Sequence, residues 1–386
     1  LTLAIAELAG SRSSTLSVMN GSLETVLECA DVAAMVEFFT VELGCRLELV
    51  TPADDPRECV VSHGAVRIHL VRSSRDVPGR LRLVQSAESS SGDEQAILTA
   101  PNGTVVEFVA ARRDTEVPSN RPSLSVVRVT GGDAFGEGRA GMGYRDLLPD
   151  RWGGRFIASH ILIADGGNVE DYVHFHRIRF QMIFVVAGWV EVVYEDQGEP
   201  FRMVAGDCVL QPPEIRHRVL RSSPGLEVVE VGCPAEHDTL VEHEITLPTP
   251  TTDPERVFGG QRFVRHVAAV ATLTPSATAG FLSRDTGIAE ATDGLADVQV
   301  LTRTQGAVEE PSKMVHLGEF ALYVVLTGSA QLTTNHDGDQ RMELVGPRDA
   351  VAIPPGSHWS WDQCSHDFAV LQVILPSGCV APMFAV

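Results

Sequence analysis

Hydrophobic and polar positions follow two different rhythms along this chain, and the change between them divides it. Leu23 to Cys29 reads as a strand. Asp31 is placed as a helix N-cap, and Val32, Met35, Val36, Phe39 and Leu43 then recur at helical spacing until Gly44 supplies a stop. Strand-like runs follow at 46–51, 57–62 and 65–72, so the pattern predicts a β-α-β-β-β module. Thr115 to Ser123 is a Pro/Ser linker. Beyond Gly141 the pattern becomes short apolar strands separated by Gly, Pro and Asp turns, with helical periodicity almost absent. That is the signature of an all-β sandwich or barrel. A second Pro/Thr-rich break falls at 247–254.

The β-rich part repeats itself. Tyr144-Arg145-Asp146 recurs as Ser283-Arg284-Asp285, and Phe184 to Gly188 recurs as Val324 to Gly328. Cys208 to Pro213 recurs as Ala350 to Pro355. The offset stays near 140, so two copies of one β-barrel unit are expected. The resulting division is an N-terminal arm over 1–20, a first domain over 21–114, a first barrel over 124–246 and a second over 256–386.

Candidate chemistry concentrates in the first barrel. His174 and His176 stand at i and i+2, so a strand points both to one face. Gln181 follows after four residues and Gly188 after six more. Downstream come Gly206-Asp207, Pro212-Pro213 and His217. Imidazole is a good ligand for Fe, Mn, Ni, Cu or Zn. Three histidines on neighbouring strands would close a facial site with open positions, as catalytic metals require. Gln181 faces inward only if the chain reverses around Arg177 to Arg179.

This combination resembles the cupin superfamily, whose first motif carries two His and usually a Glu and whose second carries a third His. The resemblance implies a bicupin of jelly-roll barrels in which His174, His176 and His217 hold the metal. Gln181 occupies the Glu position, as a fourth ligand or as a hydrogen-bond donor to bound dioxygen or substrate. Three imidazoles and an amide leave the charge of a dication uncompensated. An anionic bidentate substrate such as a catecholate, an enolate or an α-keto or hydroxy carboxylate is therefore expected. At ligand level the set is similar to the carboxylate-free iron sites of gentisate and thiol dioxygenases. The leading expectation is an Fe(II) dioxygenase using O2. The alternatives are a metal-dependent isomerase, cyclase or lyase without oxygen chemistry, and a non-catalytic small-molecule binder. In the second copy Met314, His316 and Ala321 stand for His174, His176 and Gln181, and His358 stands for His217 across a one-residue gap. A dead metal site with an apolar interior around Met314, Trp359 and Trp361 is expected there.

Around the ligands, Arg177, Arg179 and Arg216 either clamp a substrate carboxylate bidentately or lie on the outer face by strand alternation, the latter favoured for Arg179. Glu214 is either an acid/base at the rim or a surface turn residue. Tyr172, His160 and Trp189 either line the pocket or pack.

The first domain resembles the glyoxalase/bleomycin-resistance (vicinal oxygen chelate) fold, on Asp31 to Gly44, the strands after it and Pro101 to Phe108. That family takes metal ligands from a first-strand His and a last-strand Glu. Glu107 sits at the latter place, but Thr25 stands near the former, with His69 as a substitute. A metal-free domain serving packing, dimerisation or a lid is expected. Overall the fold class is mainly β: two tandem cupin barrels behind an α+β βαβββ domain.

Bulk composition narrows the partners. The chain has 386 residues, 44% hydrophobic and 21% charged, and a formal net charge of −21. Such an excess of acid argues against nucleic acid and anionic membranes. Seven cysteines show no CxxC or framework spacing. Reduced thiols and a cytoplasmic setting are the default expectation. No apolar run approaches a membrane span. A homodimer through edge strands is expected only from the cupin resemblance.

Overall fold

A computed structural model describes residues 23–85, 97–110, 116–129, 135–138, 141–306 and 312–383. The arm expected over 1–20 lies outside them. The chain forms two compact units, one up to residue 113 and one from residue 114. No helix among the described residues is long and apolar enough to cross a membrane. All seven cysteines are free, and all but Cys364 are buried.

In the first unit the Asp31 carboxylate accepts a hydrogen bond from the Ala34 amide at 3.0 Å, which starts the helix Val32–Glu37. The helix widens into a π-type turn over Phe38–Glu42 and stops at Gly44, whose φ is +64°. Four strands form one sheet in the order Glu24–Cys29, Val66–Arg72, Glu58–His63 and Arg46–Thr51, with the first two parallel. Leu27, Cys29, Cys59, Val61, Ile68 and Leu70 alternate onto the face that packs against Val32, Met35 and Phe39. A three-stranded sheet repeats the parallel pairing between Arg80–Gln85 and Val105–Ala110. Glu107 is held by Arg80 and Arg82, which keep its carboxyl below the usual range. His69 Nε2 lies 3.3 Å from Glu58. Thr25 is exposed. Among the described residues no metal-competent cluster forms in this unit.

The second unit contains two double-sheet barrels. Strands Phe180–Ala187 and Leu226–Cys233 lie at the centre of a seven-stranded sheet in the first. Phe320–Thr327 and Ala369–Leu375 do so in the second. Their sequences are apolar on both faces because each face meets a different core. Ile183 and Val185 point into the first barrel, while Phe180, Met182 and Phe184 point out of it. The outward set packs on Phe320, Leu322, Val324, Leu371 and Val373 of the second barrel. Phe156 stacks on Phe320 with centroids 4.1 Å apart and an 18° tilt, and Trp152 meets the same ring edge-on at 5.2 Å.

The two barrels also exchange strands. Ser125–Val127, at the start of the 124–246 stretch, pairs with Ala350–Ala352 of the second barrel. Val264–His266, early in the 256–386 stretch, pairs with Cys208–Leu210 of the first.

Motif glycines have steric reasons. A Cβ on Gly188, at φ +77°, would lie 2.4 Å from Ser223 Oγ and 3.1 Å from Leu226 Cα. Gly206 turns at φ +95°, and Asp207 fastens that turn by accepting from the amides of Val204 and Ala268, each at 2.9 Å.

Ion pairs reinforce the inter-barrel core. Glu319 accepts from Arg155 Nε at 2.6 Å and Arg179 Nη1 at 2.8 Å. Arg179 thus lies outside the first barrel, and its partner Glu319 stands at the offset of 140 that relates the two copies. Glu227 of the first barrel accepts from Arg348 of the second at 2.6 Å and contacts His160 Nε2 at 3.0 Å. Hydrogen bonding from His160, with the guanidinium of Arg348, lowers the Glu227 carboxyl from 4.5 to about 2. Because the folded value is depressed, the stabilisation is fully present above pH 4.5 and lost as pH falls toward about 2. Urea midpoints measured at pH 5 and pH 3 should therefore drop more for the native chain than for Glu227→Gln. Equal drops would contradict the assignment.

Candidate metal centre

The strand His174–Arg177 lies between two antiparallel neighbours. His174 sits directly opposite His217, and His176 opposite Thr239. Alternation turns His174 and His176 to the same face, and the cross-strand pair adds His217. The three residues each offer a nitrogen, and these all lie within 4.8 Å of one another. His174 and His217 are 1% and 5% exposed.

Hydrogen bonds at the far side of two of the rings set their tautomers. His174 Nδ1 is 2.9 Å from the Tyr172 carbonyl, and His217 Nδ1 is 3.0 Å from the Ile215 carbonyl. A carbonyl only accepts, so both rings carry their proton on Nδ1 and hold the lone pair on Nε2. Asp171, fully buried, lies 3.7 Å from His174 Nδ1 and accepts from the Val219 amide. His176 Nδ1 contacts Thr239 Oγ1 at 3.0 Å. This is how metal-binding imidazoles are oriented in general. The residues present therefore fit a divalent transition ion held by the three imidazoles, with Nε2 free to face it in His174 and His217.

Gln181 reaches the same cavity from the opposite sheet, after the reversal at Ile178-Arg179. Its Nε2 donates to Glu230 Oε1 at 2.6 Å. Glu230 and Gln181 are diagonal neighbours, since Gln181 pairs with Gly232 and Ile183 with Glu230. Tyr194 stacks on His217 with centroids 5.5 Å apart, and its hydroxyl accepts from Gln211 Nε2 at 2.9 Å. Burial raises the Tyr194 hydroxyl well above the usual tyrosine range, so the phenol stays neutral. The pocket encloses about 700 Å³, open solvent at its mouth included. Most of its wall is apolar, with Ile161, Ile183, Val192, Met203 and Val228 among the lining residues.

Several residues read from the sequence as substrate contacts are placed elsewhere. Glu214 adopts φ +62° in the turn and directs its half-exposed carboxylate to Arg177 Nε at 3.3 Å. Arg216 stacks over Phe175 at 4.2 Å and pairs with Glu242 and Glu195. Tyr172 is 42% exposed and meets the edge of His174. His160 lies between Arg145 and Glu227. Its neighbour Ile161 lines the pocket, so alternation sends His160 outward. Trp189 lies under the Arg202 guanidinium at 3.8 Å. None of these residues lines the pocket, and no Lys or Arg does among the described residues. Of the alternatives left open by the sequence, the outer-face and surface-turn placements match these contacts: surface ion pairs engage the arginines and Glu214.

Glu230, Gln211 and Tyr194 were not singled out in the sequence. Glu230 had a legible signal, as an acid inside the apolar run Leu226–Cys233. Its distance to Gln181 had none, because that depends on which strands pair.

Register corrects the reading of the second barrel. Met314 pairs with Trp359, as His174 pairs with His217, so Trp359 and not His358 takes the third ligand's place. His358 pairs with Val315, and its Nδ1 lies 3.1 Å from Met383 Sδ. Met314, Trp359 and Trp361 fill the interior. His316 Nδ1 contacts the Ile353 carbonyl at 2.7 Å, while its buried Nε2 has no hydrogen-bond partner among the described residues. Burial lowers its pKa, so the ring is neutral. Introducing Met314→His and Trp359→His together should raise Co(II) stoichiometry from about one to about two per chain. Met314→His alone, beside the native His358, should not.

No protein-family model matches the sequence. No curated protein matches it. Solved structures do resemble it. An oxalate decarboxylase from Lactobacillus farciminis, in complex with formate, is 13% identical, with 68% of this chain and 90% of that one covered at a TM-score of 0.52. A variant of the Bacillus subtilis oxalate decarboxylase is 11% identical, with 69% and 81% covered at 0.49. At such identities the likeness speaks for the fold. With two double-sheet barrels related by an offset near 140 residues, the second unit has the fold of a bicupin: two cupin β-barrels in tandem.

Proposed function

We propose that the first barrel is the active site of a metal-dependent enzyme acting on a small substrate with an oxygen-donor head and an apolar body. The observation that carries this reading is the convergence of His174, His176 and His217 inside a largely apolar pocket. Three imidazole donors suit Fe(II), which we take as the first candidate, and Mn, Ni, Cu or Zn as well. When bound, the metal supplies Lewis acidity and, if iron, a place for O2. The protein's own contribution is positional. Asp171 and the carbonyls of Tyr172 and Ile215 hold the rings. Neutral Tyr194 packs beside His217, and the apolar wall excludes water from the substrate's body.

The first reading is an Fe(II) dioxygenase of an aromatic or enolisable substrate. The second is a lyase or isomerase without oxygen chemistry. It is favoured by Glu230, a carboxylate in the pocket wall that can take a substrate proton. Metal analysis of the protein as purified, followed by turnover with and without O2, separates them. Iron with O2 consumption on catechols or β-diketones supports the first. Anaerobic turnover supports the second. Metal-free protein that binds no divalent ion would sink both and leave a small-molecule binder. For the first unit we propose a metal-free glyoxalase-like module. The repeated parallel pairing of first and last strands supports it, as does the engagement of Glu107 by two arginines.

A further inference from the structure

Resting on that metal-site reading, the geometry points to Glu230 as the residue that orients Gln181 and sets the charge of substrate the pocket admits. A carboxylate accepts hydrogen bonds and does not donate them. The Gln181 atom 2.6 Å from Glu230 Oε1 must therefore be the amide nitrogen. The amide oxygen is the end left to serve the site. Gln181 is 2% exposed, so the side chain has little room to turn without breaking this bond.

Glu230 also changes the electrostatics. It is the one carboxylate among the described residues lining the pocket, and no Lys or Arg lines it. The imidazoles and the amide bring no negative charge, so Glu230 in the pocket wall, with Asp171 behind His174, is what compensates a bound dication. Glu230 thus places a carboxylate on the strand next to Gln181, in the pocket wall. A second negative charge on a substrate would then be repelled in a cavity of low dielectric, with no cation in the wall to balance it. The substrate class is a neutral or singly ionised bidentate oxygen chelator with an apolar body, such as an enol or hydroxy-ketone, rather than a dicarboxylate. Glu230 is a positioning and specificity residue here.

The test uses the full chain loaded with Co(II), whose visible spectrum reports the ligand set. Acetohydroxamate, a singly charged chelate, and oxalate, a dianion of similar size, are titrated at pH 7. In Glu230→Gln, oxalate should bind at least about tenfold more tightly than in the native chain, while acetohydroxamate changes less than about threefold. Glu230→Asp should keep the native discrimination, since the charge stays. It should still shift the spectrum, since the shorter side chain releases the Gln181 amide. An oxalate-to-acetohydroxamate ratio unchanged within about twofold in Glu230→Gln overturns the inference and leaves the metal site standing. If Glu230→Gln does not fold, the native chain decides. Oxalate favoured there beyond its relative affinity for aqueous Co(II) overturns the inference. No Co(II) binding by the native chain overturns the metal-site reading itself, and this inference with it.

Discussion

His217→Ala should lose its metal while keeping its fold. The ring supplies one of three Nε2 donors, and it is held by the Ile215 carbonyl and by the face of Tyr194. Loss of a residue that merely supports a ligand costs about 10–100-fold in metal affinity. Loss of a ligand itself should exceed about 100-fold, and turnover should fall at least as far. Metal content after desalting and a circular dichroism spectrum are the measurements. A native-like spectrum with less than a tenth of the native metal is expected, the residual being about what a 100-fold weaker site retains. Retention of stoichiometric metal would show that His217 is not a ligand. Glu214→Gln is the contrasting substitution. Its carboxylate pairs with Arg177 at the surface, so metal affinity should stay within about twofold.

The second large effect concerns the fold. Phe320→Ala should destabilise the two-barrel unit by about 3–5 kcal/mol, the usual cost of removing a buried aromatic ring. Phe320 is fully buried, with Phe156 stacked on it and Trp152 at its edge. Those two rings belong to the first barrel and would face a cavity. A fall of roughly 10 °C in the thermal midpoint should follow. A shift under about 3 °C would mean that the inter-barrel core is not where the unit's stability lies.

Much of the architecture was legible from pattern. The offset near 140 announced two barrels because a repeated strand order demands repeated glycines and turns. Gly188 and Gly206 are positions where a side chain would clash or strain the backbone. The helix after Asp31 was legible because capping is local, a bond over three residues. The histidine cluster was legible for a related reason. His174 and His176 share a face by strand alternation alone, and His217 follows the turn that the Pro-Pro pair opens.

What the sequence left open were properties of the opposite face and of register. Arg177, Arg216 and Glu214 stand beside the histidines in the chain, yet their ion pairs lie outside the pocket. His358 matched His217 only across a one-residue gap, and strand pairing puts Trp359 opposite Met314. Each apolar strand carries two faces, and only the packing of one barrel on the other tells which core receives Phe180 and which receives Ile183. The sequence by itself therefore determined the repeat, the strand content and the candidate histidines, because each is carried by short local patterns of turns, alternation and spacing. Tertiary structure alone decided that strands are exchanged between the barrels and that no cation lines the pocket. It also decided that Glu230 grips Gln181. Those facts depend on which strands pair, and pairing joins residues as distant in the chain as Ser125 and Ala352 through contacts that no local pattern encodes.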